Sequence, residues 1–368
     1  MDPFLDKPIS DWPAPYSMPE AEKRPFLLRE FDALTRHHYS ACPIYRNIVD
    51  RLFGGLSPEP YSRIEDIPFI PVSLFKERDL LCIPRDQVFK VLTSSGTTGQ
   101  QVSKVYLDRR TADLQAKALV RTMQHFLGKD RLPMVVLDHP GVVKDRTSFS
   151  ARGAGILGMM QFGRQPIYAL NDDMSLNLEG LADYIGKHQG ERIFYFGFTF
   201  MVWQHVVAEL RKLGRKMPPN KGALIHSGGW KKLEHARVSH EVFNEGVRSI
   251  LGVDHVINFY GMVEQVGGVF FENSLGRLQA PVFSDVIVRD PQTLAPLPPG
   301  QPGLVQVLSI LPGSYPGHSL LTADLGQIDG VDHPEAGGFG RYFSIHGRAP
   351  RTELRGCSDT YEKPSIAD

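Results

Sequence analysis

The chain has 368 residues, and its 41 basic and 41 acidic side chains give a formal net charge of zero. That balance offers no basic surface for nucleic acid or an anionic membrane, and no apolar run reaches the roughly 18 residues of a membrane span. The N-terminus shows no basic and apolar regions typical of a signal peptide. Three cysteines cannot build a disulfide framework. These features predict a cytoplasmic protein with one large domain or two.

The predicted elements indicate an α/β protein. Residues 1–64 begin with a Pro-rich stretch and are expected to wrap the surface. Over residues 65–276, the predicted nucleotide-binding core, apolar runs such as "LPMVVLDHP", "RIFYFGF", "KGALIHSGG" and "HVINFYG" alternate with helical patterns, among them a helix expected over 233–251. Such alternation predicts a layered, largely parallel sheet whose ligands lie beyond the carboxyl ends of the strands.

The sequence changes in character near residue 277. The run "PQTLAPLPPGQPG" is too rich in Pro and Gly for a helix or a central strand. Around it, "VFSDVIV", "GLVQVLSIL" and "GRYFSIHGR" are typical of strands. We therefore predict a smaller β-rich subdomain over residues 277–345, followed by a short C-terminal tail over residues 346–368.

A hydroxyl-rich loop, "VLTSSGTTGQQVSK" over residues 91–104, is the first candidate for a binding site. Consecutive Gly, Ser and Thr let backbone N–H groups converge on an anion, and hydroxyls and a lysine add donors. That chemistry suits a polyphosphate, although a solvated turn explains the loop equally well by itself. The Gly-Lys-Ser/Thr ending of a P-loop is absent, which excludes a P-loop NTPase.

The other motifs give weak or negative indications. "GAGILG", from Gly153 to Gly158, has dinucleotide spacing but no preceding strand, so close helix packing is the favoured explanation. The sequence contains no G-x-S-x-G, H-E-x-x-H or C-x-x-C pattern, and its cysteine and histidine spacings match no zinc motif. Cys42 and Cys82 lie in apolar surroundings and are predicted to be buried.

Three later segments narrow the functional interpretation of the loop: "NFYGMVEQ" (258–265), "LLTADLG" (320–326) and "IHGRAPRTELRG" (345–356). In this order they resemble the core motifs of adenylate-forming enzymes, the superfamily of acyl-CoA ligases, luciferases and peptide-synthetase adenylation domains. "IPFIPVSLFK" upstream of the loop, the short length and a cysteine near the C-terminus resemble the acyl-protein synthetase (LuxE-like) family in particular. The resemblance implies the α/β N-terminal domain of that superfamily, with a small C-terminal β subdomain and without the mobile lid domain of longer relatives.

The resemblance also implies a site for ATP and Mg²⁺. The phosphates would be wrapped by Ser94, Ser95, Gly96, Thr97, Thr98 and Gly99. The base and ribose would be held by Ser227, Gly228, Gly229, Tyr260, Gly261 and Asp324. Lys104 would add positive charge, Glu264 would bind the metal through a carboxylate oxygen, and Arg348 would reach the ribose or the phosphates.

The sequence departs from the superfamily pattern at three places: Val263 replaces a threonine, Ala323 replaces a glycine, and Ala349-Pro350 replaces the hinge aspartate. With no lid to guide coenzyme A, the resemblance implies a different acyl acceptor, Cys357. Arg355 lies two residues away, and a nearby cation favours the nucleophilic thiolate. An incidental exposed cysteine is the alternative explanation.

The implied function is that of an ATP-dependent acyl-protein synthetase. A carboxylic acid, a fatty acid by family resemblance, would be activated as acyl-adenylate, loaded on Cys357 and passed to a partner such as an acyl reductase. One alternative is an acid–CoA ligase of the phenylacetate type, which shares the S-S-G-T-T-G loop. Another is a non-catalytic subunit that binds a nucleotide or an acyl chain, in which Glu264→Ala would change no turnover.

Overall fold

The computed structural model describes residues 8, 11–94, 102–144, 151–229 and 237–349. The helices are α1 (Glu20–Ala41), α2 (Pro43–Leu52), α3 (Leu74–Glu77), α4 (Arg109–Leu127), α5 (Gly141–Lys144), α6 (Ala151–Met160), α7 (Leu178–Lys187), α8 (Thr199–Met201), α9 (Ala208–Lys212) and α10 (His240–Leu251). A π-helical segment, Val202–Val207, joins α8 to α9. The strands are β1 (Ile70–Pro71), β2 (Lys90–Thr93), β3 (Lys104–Leu107), β4 (Leu132–Val136), β5 (Gly163–Tyr168), β6 (Arg192–Phe198), β7 (Asn220–Ser227), β8 (Val253–Tyr260), β9 (Phe270–Glu272), β10 (Leu278–Gln279), β11 (Ser284–Arg289), β12 (Gly303–Ser309), β13 (Ser319–Val331) and β14 (Arg341–Arg348).

Within the described ranges, twelve of these strands form one mixed sheet. Its order is β11-β12-β13-β14-β10-β9-β8-β7-β6-β4-β5, with β1 added alongside β13. The strands from β5 to β8 are parallel neighbours, and the neighbours from β8 to β11 are antiparallel. The α/β fold class is therefore confirmed, and the expected parallel arrangement holds for five strands. The strands after residue 277 continue the same sheet, and the proposed division into subdomains stays a prediction.

Strand β6 shows why the parallel part forms. Its "RIFYFGF" sequence is an almost continuous apolar run, as expected for a strand covered on both faces. Ile193 and Tyr195 pack in one cluster with residues of α7 and α10. Phe194 and Phe196 point to the opposite face and pack with residues of α4 and α6. Helices on both faces leave the carboxyl ends of the parallel strands as the accessible edge.

The structure corrects one helix boundary and shows close packing at Gly155, the second glycine of "GAGILG". The helix expected over 233–251 begins only at His240, because the hydroxyl of Ser239 accepts the N–H of Val242 at 3.3 Å and caps it there. Residues 230–236 lie outside the described ranges. Gly155 lies in α6, where an added Cβ would be 3.1 Å from the ring of Phe198, so a small residue is needed for this close approach. None of the described helices is long and apolar enough to cross a membrane.

Candidate active site

The carboxyl ends of β6, β7 and β8 bring several predicted site residues to one edge of the sheet. Ser227 ends β7 and is paired with Phe198 of β6 on one side and Phe259 of β8 on the other. Tyr260 follows as the last residue of β8. Gly228 has φ +88°, and an added Cβ would be 3.3 Å from the Phe198 ring, so glycine suits this position both conformationally and sterically.

Tyr260 connects this edge to the antiparallel part of the sheet. Its hydroxyl donates a hydrogen bond of 2.7 Å to Oδ2 of Asp324 in β13. Burial, together with the charge of Asp324, raises the pKa of Tyr260 well above its ordinary value, so the phenol keeps its proton and acts as the donor. Arg348 in β14 is the cross-strand partner of Asp324, with Nε 3.7 Å from Oδ1. Its side chain is 87% exposed, so this ion pair contributes little by itself and leaves the guanidinium accessible.

Glu264 is a buried acid directly after β8. It lies on the 3-10 turn Val263–Gln265 and is 6% exposed. Its main-chain carbonyl accepts a hydrogen bond of 2.9 Å from the hydroxyl of Tyr315, which in turn accepts one of 2.9 Å from Nε2 of Gln115. Burial raises the pKa of the Glu264 carboxyl, and the side chain of Ser103 and the charge of Lys76 oppose that rise. A carboxylate whose charge is costly in the folded protein is suited to bind a cation.

The mouth of the hydroxyl-rich loop lies beside Glu264. The β2–β3 hairpin is closed by Ser94, whose N–H donates to the Ser103 carbonyl at 3.1 Å and whose hydroxyl accepts the Ser103 N–H at 2.9 Å. Ser103 is fully buried and directly precedes β3, which contacts the Val263–Gln265 turn that carries Glu264. The predicted phosphate-binding residues Ser95, Gly96, Thr97, Thr98 and Gly99 lie outside the described residues, as does Cys357.

The two lysines near the hairpin act on different acids. Lys104 is exposed at the start of β3. Hydrogen bonds from Arg85 and Tyr106 lower the pKa of Asp79, and the charge of Lys104 adds to that effect. Lys76, not Lys104, is the lysine whose charge acts on Glu264. Sequence analysis assigned no role to Lys76, although the segment "IPFIPVSLFK" that contains it was part of the family resemblance.

A second buried acid lies at the carboxyl end of β4, the neighbour of β6. Asp138 is fully buried, with Oδ2 3.1 Å from Nε of Arg152 in α6, and its Oδ1 accepts the N–H of His139 at 2.8 Å. Burial raises the pKa of Asp138, while the His139 hydrogen bond and the Arg152 charge oppose the rise. Arg152 was missed by sequence analysis, since its helix gives no sign of which strand end it meets. The Asp138–Arg152 ion pair therefore adds a polar group at the carboxyl ends of the parallel strands, the same edge of the sheet as Ser227 and Tyr260.

The fold is that of an adenylate-forming ligase. The chain matches the crystal structure of 2-hydroxyisobutyryl-CoA ligase in complex with 2-HIB-AMP and CoA with a TM-score of 0.64. The match covers 90% of this chain and 76% of that chain at 18% identity, so it establishes the fold alone. A structure of the same ligase in its postadenylation state, in complex with 2-HIB-AMP, matches with a TM-score of 0.65 over 90% of this chain and 69% of that chain.

A sequence model described as "Acyl-protein synthetase, LuxE" matches residues 7–364, so this chain belongs to the acyl-protein synthetase family of ligases. It is 24% identical to the long-chain-fatty-acid–luciferin-component ligase of Vibrio harveyi, over 92% of this chain and 87% of that protein. The ligase of the same name from Aliivibrio fischeri is 21% identical over 81% of this chain and 78% of its own length. The phenylacetate-coenzyme A ligase of Thermus thermophilus is 26% identical over 84% of this chain and 66% of its own length. The family resemblance recognised in the motifs is confirmed.

Proposed function

We propose that this protein activates a carboxylic acid with ATP, loads the acyl group on Cys357 and passes it to a partner protein. The observation that carries the proposal is the position of Glu264. This buried carboxylate adjoins Ser103 at the mouth of the hydroxyl-rich hairpin and directly follows β8, which ends at Tyr260. In this proposal Glu264 is the acid for a metal, the loop between β2 and β3 binds the phosphates, and the Tyr260–Asp324 pair meets the nucleoside.

In this proposal each group of residues has a separate task. Backbone and hydroxyl groups of the loop bind the ATP phosphates, through Ser94, Ser95, Gly96, Thr97, Thr98 and Gly99. The positions that leave room for the base are Ser227, Gly228, Gly229 and Gly261. Tyr260 packs on the base, Asp324 accepts hydrogen bonds from the ribose, and exposed Arg348 and Lys104 supply positive charge.

Glu264 fits a magnesium ion, because a hard cation prefers carboxylate oxygen and would offset the cost of burying this carboxylate's charge. When bound, Mg²⁺ neutralises charge on the phosphates. Tyr315 and Gln115 fix the backbone that carries Glu264, so the acid is held in place before the nucleotide arrives. Positioning and electrostatic stabilisation of this kind make up most of a protein's catalytic contribution to phosphoryl-type chemistry.

The proposed reaction has two steps. In the first, a carboxylate oxygen of the acid attacks the α-phosphorus of ATP, the bond to the bridging oxygen breaks, and pyrophosphate leaves with the bonding electrons. In the second, the Cys357 thiolate attacks the acyl carbon of the acyl-adenylate, the C–O bond breaks, and AMP leaves. The product is a thioester that can react with a second protein. Thioester formation needs no further reactant.

The relatives guide the choice of acid and partner. Two of them are named long-chain-fatty-acid–luciferin-component ligases, so we place long-chain fatty acids first among the substrates. The family resemblance of the motifs is the reason for placing an acyl reductase first among the partners. We place the protein in the reducing cytoplasm, where free thiols such as Cys42 and Cys82 persist.

Intact-protein mass spectrometry tests the proposal. The full chain is incubated with ATP, Mg²⁺ and one acid from a panel of fatty and aromatic acids, while pyrophosphate release is followed in parallel. We expect a mass gain of one acyl group, abolished in Cys357→Ser and kept in the matched control Ser358→Ala. Glu264→Gln should lose both the mass gain and the pyrophosphate.

The likeness to phenylacetate-coenzyme A ligase makes coenzyme A the alternative acceptor. If acid-dependent pyrophosphate release yields acyl-CoA and Cys357→Ser turns over normally, the protein is an acid–CoA ligase. If no acid in the panel releases pyrophosphate from wild type, and Glu264→Gln binds nucleotide as wild type does, the catalytic proposal is wrong.

A further inference from the structure

A cluster of histidine and cysteine side chains lies at the end of α1, apart from the proposed nucleotide site. His38 lies in the last turn of this helix, His37 directly precedes it, and Cys82 lies in the segment between α3 and β2. Nδ1 of His38 is 3.0 Å from Sγ of Cys82. One ligand atom from each of His37, His38 and Cys82 lies within 4.8 Å of the other two. Their chain spacing matches no zinc motif, and the fold alone brings them together.

A second cysteine adjoins this group. Cys42 is the C-cap of α1 and the N-cap of α2, four residues after His38, and is 1% exposed. It packs in the same buried cluster as Cys82, and α2 begins directly after it with Pro43, Ile44 and Tyr45. The N–H groups of Ile44 and Tyr45 belong to the first turn of α2, where a helix stabilises negative charge. Cys42 is therefore a second sulfur donor held against Cys82.

The surroundings orient the histidine rings. The carbonyl of Gly313 lies 3.0 Å from Nε2 of His37 and can only accept, so Nε2 carries the proton and Nδ1 of the neutral ring presents a lone pair. Such a second contact to a backbone carbonyl is the usual way in which a metal-binding histidine is fixed. His37 is exposed while His38 and Cys82 are buried, so an ion has access from solvent.

A neighbouring histidine adds a buried lone pair. The hydroxyl of Thr35 donates to the Phe31 carbonyl at 2.7 Å and therefore accepts from Nε2 of His318 at 3.0 Å. Nδ1 of the neutral His318 ring is then unprotonated, and it has no hydrogen-bond partner among the described residues. The rings of His318 and His38 are 4.8 Å apart. Two buried histidines and two buried cysteines therefore gather beside exposed His37, although buried polar atoms are normally partnered.

We propose that His37, His38 and Cys82, with Cys42 as the fourth donor, bind one zinc ion. Zinc at its usual bond lengths of about 2.0 to 2.3 Å holds tetrahedral nitrogen and sulfur donors about 3.3 to 3.8 Å apart. The ligand atoms of His37, His38 and Cys82 lie within 4.8 Å of one another, so small side-chain rotations bring these three to that spacing, and Cys42 turns toward them from the same buried cluster. The ligands are nitrogen and sulfur, which favour zinc over magnesium or calcium. Binding turns the thiols into thiolates and releases their protons to solvent.

The site would fasten three separate chain segments. His37 donates to Gly313, and the N–H of Cys82 donates to the Ser314 carbonyl at 2.8 Å. The next residue, Tyr315, donates to the carbonyl of Glu264. Zinc would thus join the end of α1 and the Cys82 segment to the loop that supports the proposed metal-binding acid of the catalytic site. Its role is structural, and its presence does not depend on the proposed reaction.

The test uses the full chain, made without a polyhistidine tag. Zinc content is measured by elemental mass spectrometry, the metal is removed with a chelator, and the apoprotein is titrated with Co²⁺ alone. We expect about one zinc per chain and, with Co²⁺, a thiolate-to-cobalt charge-transfer band that added Zn²⁺ abolishes. Cys82→Ser and His37→Gln should lower the affinity at least about tenfold. Cys357→Ser, the matched thiol control, should bind as wild type does.

His37→Gln protects the test against misfolding, because the side chain is exposed. Wild type that contains no zinc and gives no charge-transfer band overturns the proposal. Equal cobalt affinity in wild type and both ligand variants also overturns it. A mass deficit of two hydrogens that maps to a Cys42–Cys82 disulfide, with no metal bound, would overturn it in favour of a redox pair.

Discussion

The substitution Glu264→Gln separates the cost of a buried charge from its proposed use. Glu264 is 6% exposed, and burial raises its pKa above the ordinary value of 4.5. Above the pKa of the folded state, the ionised carboxylate is therefore less favourable in the folded chain than in the unfolded one. Glutamine has nearly the same shape and no charge, so it removes this penalty. We expect the variant to be at least as stable as wild type at neutral pH, and about 100- to 1,000-fold less active.

The pH dependence gives the size of the effect. Each unit by which burial raises the Glu264 pKa costs the folded state about 1.4 kcal/mol once the group is fully ionised. The stability gained by the variant should be absent below the unfolded value of 4.5, where both states carry a neutral side chain. It should grow as pH rises through the folded-state pKa and then level off. Urea unfolding of both proteins across this pH range measures the difference directly.

The activity of the Glu264→Gln variant should fall although its stability rises. Loss of a fixed group that stabilises charge in a transition state typically costs about 100- to 1,000-fold in rate, or about 2.7 to 4 kcal/mol. We expect a loss of this size in acid-dependent pyrophosphate release. Mg²⁺–ATP at about 100 times its dissociation constant should stabilise wild type by about 2.7 kcal/mol, and Glu264→Gln by less.

Glu272→Gln is the matched control, because Glu272 is also a buried acid. It is 8% exposed, its Oε1 is 2.8 Å from Nε2 of His240, and its Oε2 accepts the N–H of Asn258 at 2.9 Å. Burial works to raise its pKa, but the hydrogen bond and charge of His240 outweigh it and hold the pKa below its ordinary value. This control should lose about 1 to 2 kcal/mol at neutral pH and keep its turnover. The reasoning is refuted if Glu264→Gln loses as much stability as Glu272→Gln.

Two further substitutions test the supports of the site. Tyr315→Phe removes a fully buried hydroxyl and leaves the Glu264 carbonyl and Nε2 of Gln115 without their partner, so the free energy of unfolding in urea should fall by about 2 to 4 kcal/mol. His240→Gln should cost stability mainly between about pH 5 and 6. The hydrogen bond to Glu272 raises the His240 pKa above 6.5, so the ion pair's contribution to stability is complete below pH 6.5 and is lost as pH rises through the folded-state pKa of His240. In acid the contribution falls as well, because Glu272 takes up a proton.

Each of these two predictions has a control variant and a result that would contradict it. Tyr39→Phe removes an exposed hydroxyl that donates to Asp50, so it should leave stability nearly unchanged. A Tyr315→Phe variant as stable as Tyr39→Phe would show that the two buried groups find other partners. For the second prediction, His255→Gln changes an exposed histidine on β8. A stability loss in His240→Gln that does not vary with pH would exclude the ion pair as its cause.

Local sequence was sufficient to predict a strand or a buried residue where the sequence pattern and the local structure depend on the same short stretch of chain. "RIFYFGF" was predicted as a strand and is β6, because a strand covered on both faces must be apolar throughout. The burial of Cys42 and Cys82 was also predicted from their apolar neighbours and is confirmed. The positions of Ser227 and Tyr260 at strand ends follow from the same periodicity.

Contacts between distant segments could not be predicted in this way. Tyr315 lies 51 residues from Glu264, and Gln115 lies 200 residues from Tyr315, yet the three form one hydrogen-bonded chain. The start of α10 was misplaced because a capping serine, not the charged run before it, sets the first turn. Histidine and cysteine spacing gave no sign of the cluster at the end of α1, because a spacing rule describes one local loop and these donors come from two separate segments.

The segment from Gly313 to Tyr315 explains why such distant groups matter to one site. Three consecutive residues accept from His37, accept from Cys82 and donate to Glu264. A shift of the segment would strain the buried hydrogen bond from Tyr315 to Glu264, and buried hydrogen bonds are costly to leave unmade. We therefore expect changes at the His/Cys cluster to reach Glu264 through these three residues. If the proposed site works by positioning, such supports matter to it as well as the groups that meet the substrate.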